Sequence, residues 1–420
     1  MQSFESKLFW EAIIIRILYL HQYFNTPKMP GPSRSYQIAR RLVSYGHQVT
    51  MVTTLRQEGG HEQRTWFQTE EDGILVHWLP LPYSNKLSYY ERIKVFFKFA
   101  WRASIKAAAI DCDLVYATST PLTIALPAVY AKKRLKVPMV FEVRDLWPEL
   151  PIAVGAIKNP LIKAAAKQLE RFAYRNAEQI VALSPGMKEG IVNTGYAADN
   201  VTVIPNSCDI EFFDKGLEQG EKLRSSYEWL QDRPLVIYTG TIGIINGVDY
   251  LARLSGAVRD LDSEIRFLVI GSGHGENNLR EVAEKYAVLN KNFFIFPRVP
   301  KYDIPGWLSA ADMATSLFVD LKEMWSNSAN KFFDALAAGK PVAINYGGWQ
   351  AGILEATGAG LVLDPKDIEA SAELLTGRIR DIKWLESARI AAKNLARDSF
   401  DRNKLAKTLE SVLLEAVEGK

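Results

Sequence analysis

The sequence has two cysteines, Cys112 and Cys208, and five histidines in 420 residues. So few thiols, with no histidines clustered beside them, exclude a disulfide framework and a cysteine-based zinc site, and a reducing cytosol is the compartment expected. A charge excess of one sign is also missing: 51 Lys and Arg against 48 Asp and Glu leave a net charge of +3. That balance argues against a dedicated nucleic-acid binder, so only a local basic patch could attract an extended anionic surface. No apolar run reaches the ~18–20 residues that a membrane-crossing helix requires. The apolar opening stretch is broken by Glu11 and Arg16 and has no small-residue cleavage site, so it reads as leading into a buried first strand at residues 13–20. What is present is ordinary globular material, 48% hydrophobic and 24% charged. The length suffices for two or three cores.

Short β-rich runs alternate with helical patterns, the pattern of parallel sheets covered by helices. Strands at 13–20, 48–53, 74–79, 114–116, 139–143, 179–183 and 201–204, with helices between them, predict a first doubly wound domain over residues 1–206. A charged, less periodic stretch at 207–233 reads as a linker. The pattern restarts at 235–238 and predicts a second α/β domain over 234–398, followed by a Leu-rich helix within 399–420 placed to brace both domains. Two such sandwiches imply a cleft, because open parallel sheets bind ligands beyond the carboxyl ends of their strands.

Four loop motifs follow strands. MPGPSRS at 29–35 places Gly31 before a helix start, and YTGTIGIINGVDYL at 238–251 brings Gly240, Gly243 and Gly247 together. VIGSGHGENNL at 269–279 approximates a dinucleotide fingerprint but has Gly275 one residue early. Each of these three fits either a phosphate-facing backbone or a plain structural turn. The fourth, SNSANKFFDALAAGKPVAIN at 326–345, puts Lys331 and Asp334 three residues apart on one helix face. A cation and a carboxylate so placed can hold a diphosphate and a ribose, or simply pair on the surface. Residues 86–106, KLSYYERIKVFFKFAWRASIK, form an aromatic, basic amphipathic helix. It suits an anionic lipid interface through Lys94, Phe97, Lys98, Trp101 and Arg102, or an ordinary core stripe through Ile93, Phe96, Phe97 and Ala100.

Together these segments resemble the retaining family 4 glycosyltransferases of GT-B fold, particularly bacterial enzymes of surface-polysaccharide assembly. The resemblance spans nearly the whole chain. It rests on Gly31, on Gly46-His47-Gln48-Val49, on FEVRDLWPELPIAVG at 141–155, on VALSPGMKEGI and VTVIPNSCDIEFF, and on FDALAAGKPV at 333–342. The family's paired glutamates fall on Ser326 and Asp334, with Glu323 close to the first position, and its phosphate-holding Arg and Lys fall on Thr241 and Asn246.

The resemblance implies two facing Rossmann-like domains and transfer of a sugar from a nucleoside diphosphate sugar, UDP favoured, without cofactor or metal. No Asp-x-Asp metal motif stands at the sheet edges where ligands would bind. Donor contacts are expected from Gly240, Thr241, Gly243, Gly271, Gly273, Arg298, Asn330, Lys331 and Asp334, with Lys331, Asp145 and Glu323 as catalytic candidates. Gly31, Arg144, Asp145 and Glu149 are expected to receive a polyprenyl-diphosphate-linked or saccharide acceptor. The enzyme is expected on the inner face of the cell membrane. Competing readings are a non-hydrolysing sugar-nucleotide epimerase and a non-catalytic scaffold of the same fold.

Overall fold

The computed structural model describes residues 13–419 apart from Pro30, Pro32, 57–64, 84–87, Val154, Ala156 and 215–216. The expected domain start at residues 1–12 and the expected helix start at Lys86 therefore lie outside the described residues. The first half runs β1 (Arg16–Leu20), α1 (Arg34–Ser44), β2 (Gln48–Leu55), β3 (Phe67–Glu71), β4 (Ile74–Pro80) and α2 (Tyr89–Ala107). It continues β5 (Leu114–Thr118), α3 (Ala125–Leu135), β6 (Met139–Val143), α4 (Glu149–Ala153), α5 (Pro160–Asn176), β7 (Gln179–Ala182), α6 (Pro185–Asn193) and β8 (Val201–Val203). These strands form one sheet in the order β3-β4-β2-β1-β5-β6-β7-β8, parallel except for β3. Strands β5 and β6 are buried at every position, as central parallel strands covered on both faces must be.

The second half opens with α7 (Ile210–Phe213) and α8 (Leu217–Ser226), then β9 (Leu235–Thr241), α9 (Asp249–Leu261), β10 (Arg266–Ser272), α10 (Glu276–Lys285), β11 (Phe293–Phe296) and α11 (Ile304–Ala310). There follow β12 (Met313–Ser316), α12 (Asn330–Ala337), β13 (Val342–Ile344), α13 (Trp349–Thr357), β14 (Gly360–Val362), α14 (Ile368–Arg380), α15 (Ile382–Ser399) and α16 (Arg402–Glu418). The second sheet is all parallel, in the order β11-β10-β9-β12-β13-β14.

Two expectations need correction. The stretch read as a linker contains α8, which packs on α11 of the second domain, and Leu223 joins that domain's core. Its charges face water while its few apolar residues face inward, so the periodicity is faint. Strand β3 escaped the sequence reading because its burial alternates between intermediate and exposed, as at a sheet edge.

Helix α16 crosses back to the first domain. Leu409, Val412, Leu413 and Ala416 pack into the same core as Tyr19, Tyr116 and Val140. At its start, the Arg402 amide donates to the Cys208 carbonyl at 3.1 Å and the Cys208 amide to the Phe400 carbonyl at 2.8 Å, so two crossover strands run side by side. The Arg402 guanidinium locks them through Ser207 Oγ at 3.1 Å, the Ser207 carbonyl at 2.9 Å and Asp209 at 3.2 Å. Leu413 is fully buried. Leu413→Ala should therefore cost about 2–5 kcal/mol. A thermal or urea unfolding curve that leaves the midpoint unmoved would show that α16 is not part of the first domain's core.

Candidate active site

The carboxyl end of β9 runs into the Gly240 loop, and α12 begins beside it. Lys331, in the first turn of α12, donates from Nζ to the Tyr238 hydroxyl at 3.0 Å. The same ammonium stands 4.7 Å from the centre of the Tyr238 ring and 5.3 Å from that of Phe318. With its amide oriented to satisfy both neighbours, Asn246 accepts from Lys331 Nζ at 3.1 Å and donates to the Thr241 carbonyl at 3.0 Å. Burial with no carboxylate partner lowers the Lys331 pKa to about 7. Gly240 holds φ of +146°, which L side chains rarely adopt, and a β-carbon there would touch Lys331 Cε at 3.4 Å.

The other glycines have a plainer reason. A β-carbon at Gly271 would collide with the Gly240 carbonyl, and one at Gly273 with that of Ile242. The two loops interlock, with the Ile242 amide donating to the Ser272 carbonyl at 3.0 Å and the Gly275 amide to the Ile242 carbonyl at 2.9 Å. Gly271 and Gly273 thus let one loop lie on the other, and Gly243 closes against the Asn246 side chain.

Lys331 and Asp334 form no ion pair with each other among the described residues, and they do not aim at one place. Burial pushes the Asp334 carboxyl up, while Lys301 and Arg402 pull it down and Asp209 adds to the rise. Asp334 therefore looks toward the crossover strands, and Lys331 toward the Gly240 loop. Their three-residue spacing leaves the side chains about 60° apart around the helix, enough for this divergence. Asn330 is half-buried at the uncapped start of α12. Thr241 and Arg298 are exposed, the latter in the loop after β11. Glu323 is exposed on a 3-10 turn, Lys322–Ser326, so the structure does not bring it to Lys331.

That turn is where the domains meet. Ser184 Oγ donates to the Ser326 carbonyl at 2.7 Å, and Gly186 admits the Ser326 side chain. The Asn206 amide donates to Ser328 Oγ at 3.0 Å.

Across the cleft, the strongest polar feature of the first domain was missed by the sequence reading. Glu142, fully buried, accepts from Arg34 Nε at 3.0 Å and Nη2 at 2.8 Å, from Tyr116 at 2.9 Å and from Thr118 at 3.0 Å. Burial opposes its charge, but Arg34, Arg144 and the hydrogen bonds outweigh this and hold the carboxyl below its usual range. Arg34 also donates to the carbonyls of Ile204 and Pro205, tying the loop containing Gly31 to the domain junction. Both residues stand inside motifs that sequence analysis singled out, but nothing in one sequence pairs positions 108 residues apart.

Of the expected acceptor residues, Gly31 adopts φ of +129° against Asn25. The Arg144 amide donates to Ser119 Oγ at 2.9 Å, and Asp145 accepts from Thr120 Oγ1 at 3.1 Å. Burial pushes the Asp145 carboxyl up, against Arg144 and that hydrogen bond. Thr120 holds φ of +86°, a strained conformation for a β-branched residue and one that gathers at functional sites. Glu149 departs from this group: its Oε2 is buried without a partner, and after burial its charge is the main cause that pushes Glu170 of α5 up to about 7.

Among the described residues no group of three or more His, Cys, Asp or Glu could hold a metal ion. The Asp111-Cys112-Asp113 and Asp260-Leu261-Asp262 segments precede β5 and β10 at the amino ends of the strands, where Arg16 and Arg380 engage them.

Comparison with known proteins agrees with this architecture. Residues 32–207 match the "Glycosyl transferase 4-like domain" family and residues 219–395 the "Glycosyl transferases group 1" family. The chain is 22% identical over 400 residues to the putative colanic acid biosynthesis glycosyl transferase WcaI of Escherichia coli K12, covering 90% of this chain and 95% of that protein. Among solved structures, sucrose-phosphate synthase from Thermosynechococcus elongatus superposes with a TM-score of 0.78 at 13% identity, over 96% of this chain and 100% of that one. HepE from Anabaena, in complex with UDP-glucose, gives 0.68 at 17%, again over 96% and 100%. With both halves matched and two separate parallel-type sheets, the chain belongs to the family 4 glycosyltransferases of GT-B fold.

Proposed function

We propose that the protein is a retaining, metal-independent glycosyltransferase that moves a sugar from a UDP-sugar to a lipid-linked acceptor in surface-polysaccharide assembly. One observation carries the reading: an ammonium without a counterion, held by Tyr238 and Asn246 beside the Gly240 loop at the sheet edge. In the transfer, the bond from the anomeric carbon to the diphosphate oxygen breaks and the diphosphate leaves with the electron pair. The acceptor oxygen attacks from the same face, and its proton passes to the departing diphosphate. Charge develops on that leaving group, so a preorganised cation in a partly dry site stabilises the transition state most. Lys331 fills this role where Thr241 and Asn246 supply no charge, which counters the scaffold reading. Asp334, which looks toward the crossover strands rather than the Gly240 loop, is left without a direct donor contact in this reading, and Asp145 would orient the acceptor. The choice of UDP is suggested by HepE, a structural neighbour solved with UDP-glucose, and the place in polysaccharide assembly by WcaI, a putative colanic acid biosynthesis glycosyl transferase.

Helix α2 supports a membrane-facing acceptor domain. Its buried side is Phe99, Ala100, Ala103 and Ala107, so of the alternative core stripe only Ala100 is fully buried, and Phe97, named for the lipid interface, faces out. Tyr90, Phe97, Trp101 and Ile105 are 66%, 52%, 67% and 58% exposed, at helical spacing along one side. Lys94 and Lys98 are exposed beside them and Arg102 partly so. The single acid, Glu91, is used in a capping box with Ser88. No helix among the described residues is long and apolar enough to cross a membrane.

Three outcomes are expected. In a thermal-shift screen of UDP, GDP, ADP and dTDP sugars, UDP-sugars should protect best. Lys331→Ala should weaken that protection about ten- to a hundredfold in affinity, as loss of a charge-assisted contact does, and Asp334→Ala less. Equal protection of the Lys331 variant and the parent would remove the assignment. Donor binding should also take up a proton. Lys331 titrates near 7 in the empty site, and a diphosphate favours the charged amine, so affinity should fall as pH rises above about 7 and level off below it. Calorimetry in buffers of different ionisation enthalpy reads the uptake; affinity that climbs with pH contradicts it. Finally, the protein should sediment with anionic vesicles, less so in high salt, and reversal of charge at Lys94, Lys98 and Arg102 should abolish this.

A further inference from the structure

We propose that Arg56 and Arg144, flanking His21 at the carboxyl edge of the first sheet, form a receptor for a phosphate group carried by the acceptor. The inference rests on the glycosyl-transfer reading and names the chemistry of its second substrate. His21 follows β1, Arg56 follows β2 and Arg144 follows β6, so three strands deliver these residues to one edge.

The His21 ring is buried, with Nδ1 2.8 Å from Ser35 Oγ and Nε2 3.4 Å from Arg144 Nη1. A guanidinium only donates, so Nε2 accepts, Nδ1 carries the proton toward Ser35, and the imidazole is neutral. Burial, then Arg144 and Arg56, depress its pKa in agreement. Two guanidinium charges thus act on a ring that offers neither of them a negative charge.

Several guanidiniums in this fold meet carboxylates, Arg34 with Glu142, Arg402 with Asp209, Arg224 and Arg389 with Asp312, and buried Arg41 and Arg266 are instead filled by amide and carbonyl oxygens. Among the described residues neither Arg56 nor Arg144 is in ion-pair contact with a carboxylate; Glu142 and Asp145 act on Arg144 from a longer distance, and Arg56 has no acid acting on it. Arg56, half-buried, has the amide oxygen of Asn25 and the face of Tyr23 at 5.3 Å, and burial depresses its pKa. Holding a cation in this way is unfavourable until an anion arrives.

The surroundings suit one. Helix α1 begins here with no side-chain cap from Ser33 and no acid in its first turn, so its amide groups keep their positive end open. Gly31 brings its loop onto the group, its β-carbon position lying 2.8 Å from Asn25 Nδ2 and 3.7 Å from Arg56 Nη2. Tyr23 links this edge to α2: its ring packs 5.2 Å from Tyr83 and 6.4 Å from Phe96, and Arg92 of α2 acts on its hydroxyl. The phosphate received here is therefore beside the helix that carries the outward aromatic row. A phosphate joining sugar to lipid fits that place, and a soluble sugar phosphate presents the same chemistry.

The test uses the full chain with its donor site filled by saturating UDP. Inorganic pyrophosphate, titrated by calorimetry, should bind the parent, and Arg56→Ala or Arg144→Ala should weaken it at least about tenfold, with Arg56→Lys recovering part. In turnover, Arg56→Ala should raise KM about tenfold or more for phosphate-bearing acceptors at constant kcat, and leave KM for a neutral alkyl glycoside of the same sugar unchanged. Melting curves confirm that the variants fold. A KM for the polyprenyl-diphosphate sugar below that for the soluble sugar phosphate identifies the lipid as source; equal values identify the soluble ester. No pyrophosphate binding to the UDP-filled parent, or an equal KM rise with the neutral glycoside, overturns the receptor. A chain that binds pyrophosphate in this way yet transfers sugar to no acceptor overturns the transfer reading instead.

Discussion

An amine that is enclosed by protein and has no carboxylate to answer it is the constraint on which the second domain's sheet edge depends. Desolvation disfavours the charged form of Lys331 and brings its pKa to about 7, and only partial compensation is offered. The Tyr238 and Phe318 rings present their negative faces, and the Tyr238 hydroxyl and Asn246 oxygen accept single hydrogen bonds. None of these groups carries a full negative charge. The neighbouring backbone is built around the Gly240 loop: Gly240 takes a positive φ, and the loop after β10 lies on it through Gly271 and Gly273. The interlocked loops hold the edge together, which is what lets a cation act on developing charge with little reorganisation.

Cations that are answered do something different. Arg34 and Glu142 join the helix start, the central strands and the Ile204–Pro205 carbonyls, and Arg402 joins Ser207 and Asp209 where the chain crosses between domains twice. These buried pairs sit at the domain junction. Removing one member would leave the other buried and uncompensated, which is far costlier than the pair itself is stabilising. They hold the two domains at their junction, and the cations without carboxylate contacts stand apart from it at the sheet edges.

Much of this was legible in the sequence, and the unread remainder has physical reasons. The alternation of strand and helix gave both sheets, because fully buried parallel strands read as unbroken apolar runs, such as 139–143. The return of the last helix was legible from its leucines. Lys331 stood out because a cation at a helix start after a strand is a local pattern. Its partners were not, because Tyr238 reads as one more core aromatic and Asn246 as one more turn residue. Arg34 with Glu142, and His21 with Arg56 and Arg144, are assembled by strand order across distant segments, and periodicity carries no record of that. The two readings of Phe97, lipid interface or core stripe, also have a physical reason: α2 is apolar on more than one side, so its pattern did not say which side the sheet takes.

The distribution of unanswered charge between the lobes has its own logic under the proposed reaction. A nucleoside diphosphate sugar and a phosphate-bearing acceptor repel each other when brought to reacting distance, and excluding water strengthens that repulsion. One shared cation would have to choose between them, and would draw the two anions into competition for one site. Separate cations, Lys331 on the second domain and Arg56 with Arg144 on the first, neutralise each substrate where it binds. The remaining work of closure is then alignment of the sugar carbon with the acceptor oxygen. The pairing at 207–209 and 400–402 suits that division, since it joins the two domains at a short, hydrogen-bonded crossover that uses neither set of cations.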